Sequence, residues 1–320
     1  MAVRISTNGQ SQLLLQDVLR NQQNLFARQN QVTSGMKSPT YQGISRDVGT
    51  LSGAKSIQAR TEQFLAANVE VERRMNIYDA TLEGLRGVAQ ELRDNVLSAI
   101  NTDSGIAIRS QMENLFDTAV NMLNTRDNGR YVFSGTRTDT APVTKTTPAT
   151  LAAVAASVST TPANVFANNS LKQSSQIDDN LEMQYGILGE DVGKDLMESL
   201  RRLFRFSDGT ENFGFTPAGS FTNPLGVNQA NFLKGELLNL NATIDAIDQI
   251  HAKNGVNQQS LGEVQKRHTA DLNFMTIFIS DIEQVDIGEA ISRLNQDQVA
   301  LDSSYRVLSQ ITRSTLLDFI

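Results

Sequence analysis

The side chains that could carry chemistry in this chain are few, and their spacing gives little support to catalysis. There are two histidines, His251 and His268, and no cysteine. Without thiols there can be no disulfide, thiolate zinc site, iron-sulfur cluster or cysteine nucleophile. Neither histidine stands in an H-E-x-x-H pattern, which would put two imidazoles on one helix face around zinc. His251 falls on an apolar stripe shortly before Asn254-Gly255. The spacing predicts the last turn of a helix there, where an imidazole can meet free carbonyls, so a structural role is expected rather than metal ligation. Gly186, Gly189 and Gly193 in GILGEDVG lack both the G-x-G-x-x-G spacing and the G-K-[ST] ending of phosphate loops, and a turn or loop is expected. The acid pairs Asp178-Asp179 and Glu190-Asp191 lie in a polar stretch and read as solvated surface carboxylates. No catalytic residue, cofactor or metal ligand is assigned on these grounds. An enzyme with a metal site in the middle of the chain stays as a remote alternative.

Composition narrows the classes further. The net charge of -7 argues against a nucleic-acid partner, because phosphate neutralisation needs clustered Lys and Arg on one face. The polar excess is uncharged, with 24 Gln and 26 Asn in 320 residues. The most apolar windows, Leu151 to Val158 and Phe274 to Ile279, fall well short of the roughly 20 residues that span a bilayer, so no membrane insertion is expected. Near the start, the run Leu13 to Leu15 is shorter than the roughly 7 to 15 apolar residues of a secretory signal, and no Sec-type export is expected.

The elements that would position any functional side chain are long helices. Apart from Pro39, the prolines lie between Pro142 and Pro224, which leaves a long proline-free stretch on either side. Steps of four and three from Phe64 give Phe64, Asn68, Val71, Met75, Tyr78, Leu82, Leu85, Ala89, Leu92, Val96 and Ala99. That period predicts a narrow apolar seam, and a single helix from Ala54 to Ile100 would be roughly 70 Å long. Asn101 to Ser104 offer a turn and an N-cap for a second helix carrying Ile108, Met112, Leu115, Phe116, Ala119 and Leu123, which ends at Asn128-Gly129. Tyr131, Val132 and Phe133 then open a strand. The segment from Thr136 to Gln176 is rich in Thr, Ala, Ser and Pro, and the alternating Leu181, Met183, Tyr185 and Ile187 predict a half-buried strand. On the other side, Leu233, Leu237, Leu240, Ile244 and Ile247 make a stripe up to Asn254-Gly255, continued by Leu261, Val264, His268, Leu272, Met275 and Ile279.

Both ends of the chain carry amphipathic seams with polar residues in them. Leu15, Val18, Gln22, Leu25, Gln29 and Val32 form one; Ile287, Ile291, Leu294, Gln298, Leu301, Tyr305, Leu308, Thr312, Thr315 and Phe319 form the other. Residues 1–55 carry six Lys or Arg against Asp17 and Asp47, a net of +4; residues 277–320 carry seven acids against Arg293, Arg306 and Arg313, a net of -4. The fold class expected is mainly α: a long helical-bundle rod with terminal coiled-coil arms and a β-containing central insert domain. The expected divisions are an N-terminal arm at 1–45, a rod half at 46–135, the insert at 136–229, a second rod half at 230–284 and a C-terminal arm at 285–320.

Particular stretches carry a resemblance. RISTNGQ at Arg4 to Gln10 and QNQVTSGMKS at Gln29 to Ser38 are similar to the amino-terminal signature of the bacterial flagellin superfamily. LNTRDNGRYVFSGTRTDTAP at Leu123 to Pro142, and the ending from Ser280 to Ile320, resemble the hook-filament junction proteins within it; the final LLDFI departs from the Leu-Leu-Arg ending common in flagellins. The likeness covers residues 1–142 and 230–320. It departs after Pro39, where Thr40 to Ser45 replace the family's acidic stretch. The resemblance implies a structural adaptor of the flagellum that self-associates in a ring, with hook-associated protein 1 and flagellin as neighbours; the alternative is flagellin itself. It also implies a flagellar export chaperone, passage through the type III export apparatus, and an extracellular place at the hook-filament junction. Terminal helices are the assembly layer in this family. The candidate interface is therefore Leu15, Val18, Leu25, Val32, Ile291, Leu294, Leu301, Tyr305, Leu308, Leu316, Leu317 and Phe319.

Overall fold

The computed structural model describes residues 7–154 and 164–317, and these fold as a mainly α chain. The helices are α1 (Thr7–Ser34), α2 (Val48–Thr102), α3 (Ile108–Leu123), α4 (Pro148–Ala152), α5 (Gly189–Ser207), α6 (Val227–Glu283) and α7 (Ile287–Leu317), with a 3-10 turn at Tyr41–Ile44. Strands β1 (Arg126–Asp127) and β2 (Arg130–Tyr131) form one antiparallel pair, and β3 (Ser174–Asp178) and β4 (Leu181–Gln184) form another. The chain divides into two compact units, residues 1–62 with 269–320, and residues 63–268.

In the first unit, α1 and α7 pair, and the opening turns of α2 meet the closing turns of α6. Leu51, Ala54 and Ile279 form a small buried core there, with Ile44, Met275, Phe278 and Ile282 packed on it. Helix α1 stops at Gly35, whose φ of 70° is open to glycine at no steric cost. Its carbonyl then accepts from the Val285 N–H at 2.9 Å, and the Lys37 N–H donates to the Glu283 carbonyl at 2.8 Å. These backbone bonds tie the exit of α1 to the link between α6 and α7.

The second unit is built on the α2 stripe. Val71, Met75, Tyr78, Leu82, Leu85, Ala89, Leu92 and Val96 are all buried, because side chains three and four residues apart share one helix face. Helix α3 adds the expected Ile108, Met112, Leu115, Phe116, Ala119 and Leu123, and α6 adds Leu233, Leu240, Ile244, Ile247, Leu261 and Val264. Here α2 and α6 run antiparallel: Asn254 Nδ2 donates to the Met75 carbonyl at 3.1 Å, and Arg86 Nε lies 2.6 Å from Asp248 Oδ1.

Several local expectations are corrected. Helix α6 does not end at Asn254-Gly255 but runs through it to Glu283. Asn254 is buried and spends its side chain on α2, so the turn-forming hydrogen bond to its own backbone is not made. His251 is consequently mid-helix and meets no free carbonyl; its Nε2 is 2.8 Å from Asp79 Oδ1. Ser104 does not cap α3, which starts after Ala107 with no side-chain cap; the turn itself is made by Asp103, at φ 51°, whose carboxylate accepts from the Leu225 N–H at 3.1 Å. Strand β2 ends at Tyr131, and Val132 and Phe133 turn into the core. Strand β4 stops at Gln184, because the Tyr185 and Gly186 N–H groups both donate to the Gln173 carbonyl, at 3.1 and 2.9 Å. A Cβ on Gly186 would lie 2.3 Å from the Gln173 nitrogen, so that crossing requires glycine.

The largest difference lies in GILGEDVG, where a turn or loop is expected. Gly189 opens the 19-residue helix α5, with Glu190 and Asp191 in its first turn and Arg205 in its last, charges placed to suit the helix dipole. The acid pair therefore helps start a helix rather than lying on a loop. The buried face of α5 includes Leu196, Met197, Leu200, Leu203 and Phe204, and Phe204 meets Phe116 of α3 edge to face at 6.0 Å. Val143, Leu151, Val165, Phe166 and Ile177 join the same core as the long helices.

Candidate assembly surface

The terminal helices carry the candidate site, and their pairing is antiparallel. Asn21 Nδ2 donates to Ser304 Oγ at 2.9 Å, Gln22 bonds the Tyr305 hydroxyl, and Arg28 Nε lies 3.7 Å from Asp297 Oδ2. Opposite charges of the two ends thus meet in one chain through two partly exposed ion pairs, Arg28–Asp297 and Lys55–Glu283, the kind that contributes about 0–1 kcal/mol each. The Asp286 carboxylate accepts from the Glu289 N–H at 3.1 Å and caps the start of α7.

Burial separates two stripes on each helix. On α1 the inward set is Leu14, Val18, Asn21, Leu25, Arg28 and Val32; on α7 it is Ala290, Leu294, Asp297, Leu301, Ser304 and Leu308. Both follow alternating steps of four and three, with Val18, Leu25, Val32 and Leu294, Leu301, Leu308 at heptad intervals, the spacing of a two-helix seam. The polar members Asn21 and Arg28 find Ser304 and Asp297 across it, which removes the cost of leaving them unpaired. The seams expected from the sequence lie one position off this line at Leu15, Gln22, Gln29, Ile291, Gln298 and Tyr305, all of which are exposed; Ile287 continues the line at the start of α7 and is exposed as well.

The exposed positions make a second line. Leu15, Leu19, Gln22 and Phe26 follow each other on α1 at steps of four, three and four, with Leu19 50% and Phe26 65% exposed. On α7, Ile287, Ile291 and Tyr305 are likewise exposed. Of the candidate interface residues, Val18 is buried, Leu25, Val32, Leu294, Leu301 and Leu308 are half-buried in the intrachain seam, and Leu15, Ile291 and Tyr305 lie on the exposed line. The side chains of Leu316 and Leu317, and the whole of Phe319, lie outside the described residues. Leu19 and Phe26 lie outside the seam expected from the sequence, because a single period-3.5 stripe does not describe a helix that carries two.

The histidines and Asp178 have partners within the chain. His268 is buried, donates from Nε2 to the Ile177 carbonyl at 3.0 Å and stacks on Phe64 with ring centroids 5.7 Å apart. Asp178 pairs with Arg267, and its carboxyl is held below the usual range, first by the Asp179 N–H and then by the Arg267 guanidinium. Among the described residues no three His, Asp or Glu side chains group as a metal site, and no helix is long and apolar enough to cross a membrane.

No family model matches the chain. Flagellar hook-associated protein 3 of Escherichia coli (strain K12) is 28% identical to it over 90 residues, which are 27% of this chain and 28% of that relative's length. A structure described as a flagellar hook-associated protein from Vibrio parahaemolyticus superposes with a TM-score of 0.57 at 15% identity, covering 72% of this chain and 95% of the other. FlgL from Bacillus cereus superposes with a TM-score of 0.51 at 13% identity, covering 73% of this chain and 99% of the other. The chain has the fold of these flagellar hook-associated proteins, and in sequence it resembles hook-associated protein 3.

Proposed function

We propose that the chain is a non-enzymatic structural adaptor of the bacterial flagellum. In this reading it joins the hook, through hook-associated protein 1, to the flagellin filament as a ring of copies. The observation that carries the reading is the exposed apolar row on a terminal helix pair whose inner seam is already closed. Burying a Leu or Phe of that row in a neighbouring subunit would contribute roughly 1.5–3 kcal/mol per side chain, so a few of them suffice to couple subunits. The absence of cysteine suits export of an unfolded chain through the flagellar type III apparatus, with a chaperone covering the C-terminal helix beforehand. The site is then extracellular, at the hook-filament junction.

Electron micrographs of cells lacking the gene test the proposal. Hooks without filaments, with flagellin shed into the medium and filaments restored by the wild-type gene, are expected. Normal filaments on the mutant cells would overturn it. Purified chain added to hook tips should lay down one layer and stop, whereas unlimited growth into filaments would identify a flagellin instead.

A further inference from the structure

Asparagine stands directly before glycine at Asn8, Asn128 and Asn254. Such a pair is open to intramolecular attack, because glycine has no side chain to keep its backbone nitrogen away from the neighbouring side-chain amide. The Asn8 side chain lies outside the described residues, and the other two pairs stand in opposite settings. Asn254 is 2% exposed in the middle of α6, where its Nδ2 donates to the Met75 carbonyl. Asn128 and Gly129 are both exposed and form the two-residue turn of the β1–β2 hairpin, with Arg126 opposite Tyr131 and Asp127 opposite Arg130. Their φ values of 47° and 79° are those of the tight hairpin turn that favours Asn-Gly. A Cβ on Gly129 would meet nothing within 4 Å, so there is open space around the turn. A five-membered ring through both residues fixes the backbone between them differently from this turn, so ring closure needs the turn to open. That opening is a small event: the hairpin is two residue pairs long, and Arg73 of α2 holds it by an ion pair to Asp127. Freeing Asn254 instead means opening α6 against the core, at a cost near that of global unfolding.

We propose that Asn128 is a site of covalent self-modification, deamidation through a cyclic imide, and that opening of the β1–β2 hairpin sets its rate. The Gly129 nitrogen attacks Cγ of Asn128. As the new N–Cγ bond forms, the Cγ–Nδ2 bond breaks, and Nδ2 leaves as ammonia with the proton from the glycine nitrogen. Water then adds to one of the two imide carbonyls. Opening on one side leaves aspartate at position 128; opening on the other leaves isoaspartate, with the main chain rerouted through Cγ. Either product adds a negative charge between Arg126 and Arg130 in the chain, and isoaspartate lengthens the main chain by a methylene that a two-residue turn does not accommodate. This assignment is independent of any role in the flagellum.

Incubation of the full chain at pH 8, followed by peptide mapping with mass spectrometry and by methyl transfer from an isoaspartate methyltransferase, tests it. The peptide holding position 128 should gain one mass unit and accept methyl groups, at least tenfold faster than the peptide holding position 254. A free peptide with the sequence of residues 123–133 should convert faster than the folded chain, since it has no turn to open. Arg73→Gln, which releases Asp127, should speed conversion at 128 at least twofold and leave the rate at 254 unchanged. Asn128→Gly, which suits the same turn, should keep the melting temperature and remove the product at 128. Conversion at 254 as fast as at 128, no conversion at 128 while the free peptide reacts to completion, a folded chain that reacts as fast as the free peptide, or an Arg73→Gln variant with the wild-type rate would each overturn the proposal.

Discussion

At the scale of single residues, the second unit depends on polar groups whose partners are fixed. Tyr78 is buried on the α2 stripe and its hydroxyl donates to the Val132 carbonyl at 3.1 Å. Burial pushes the phenol up to about 12 from an ordinary value near 10. Between those values the unfolded chain has lost a proton that the folded chain keeps, so stability falls as pH rises. The full effect is on the order of 3 kcal/mol, reached above the folded value. Urea melts of wild type and Tyr78→Phe should therefore differ by about 1–3 kcal/mol in favour of wild type at pH 8 and converge or cross by pH 12. Parallel curves over that range would show that the phenol is not held protonated. Glu236 offers a second case. It is 1% exposed, and Arg202 Nη2 lies 2.7 Å from its carboxylate. Arg202→Met strands that charge and should cost about 3 kcal/mol, while Arg202→Met/Glu236→Leu should recover most of the loss, since an apolar pair often replaces a buried ion pair at little cost. A double variant as unstable as the single one would contradict this account of the pair.

At the scale of elements, α5 belongs to the core as much as the long helices do. Leu200→Ala should cost about 2–5 kcal/mol, as for other fully buried leucines, whereas Leu171→Ala at an exposed site should stay within about 0.5 kcal/mol. Equal effects in thermal melts would mean that α5 is a peripheral decoration. This helix was the element least legible in the sequence, although Val192, Leu196, Leu200 and Leu203 follow helical spacing. The two glycines ahead of that run drew attention to turn formation, and the surrounding Thr- and Pro-rich stretch suggested a loop-rich segment. Gly193 sits inside the helix for a packing reason instead: a Cβ there would lie 2.7 Å from the Leu123 side chain. The α2 and α3 stripes were fully legible, because periodicity over many turns leaves one face to bury. Asn254-Gly255 misled for the opposite reason, since the value of that Asn lies in a partner 179 residues away in sequence, which no local pattern carries. The terminal seams were legible as helices and as a heptad repeat. Of their inner line only apolar members such as Val18, Leu25, Val32, Leu294, Leu301 and Leu308 were legible, because Asn21 and Arg28 look like surface residues until Ser304 and Asp297 are brought opposite them.

At the scale of the whole molecule, the central claim is a division of labour on the terminal helices: the inner seam folds the chain on itself and the exposed row joins it to its neighbours. The two roles separate by mutation. Leu301→Ala/Leu308→Ala weakens half-buried seam positions and should lower both the stability of the α1–α7 pair and assembly. Leu19→Ser/Phe26→Ser changes exposed positions and should leave the monomer melt within about 0.5 kcal/mol of wild type. Hydrogen exchange on the monomer distinguishes the two, with faster exchange at 18–32 and 294–308 expected only in the Leu301→Ala/Leu308→Ala variant. The most direct measurement is the fraction of hook tips that carry the Leu19→Ser/Phe26→Ser protein, counted by immunogold labelling in cells that produce and export it at wild-type levels. At least a tenfold fall in labelled tips, with filaments lost to match, is predicted; labelling and filament number equal to wild type would contradict the claim that the exposed row is the assembly surface.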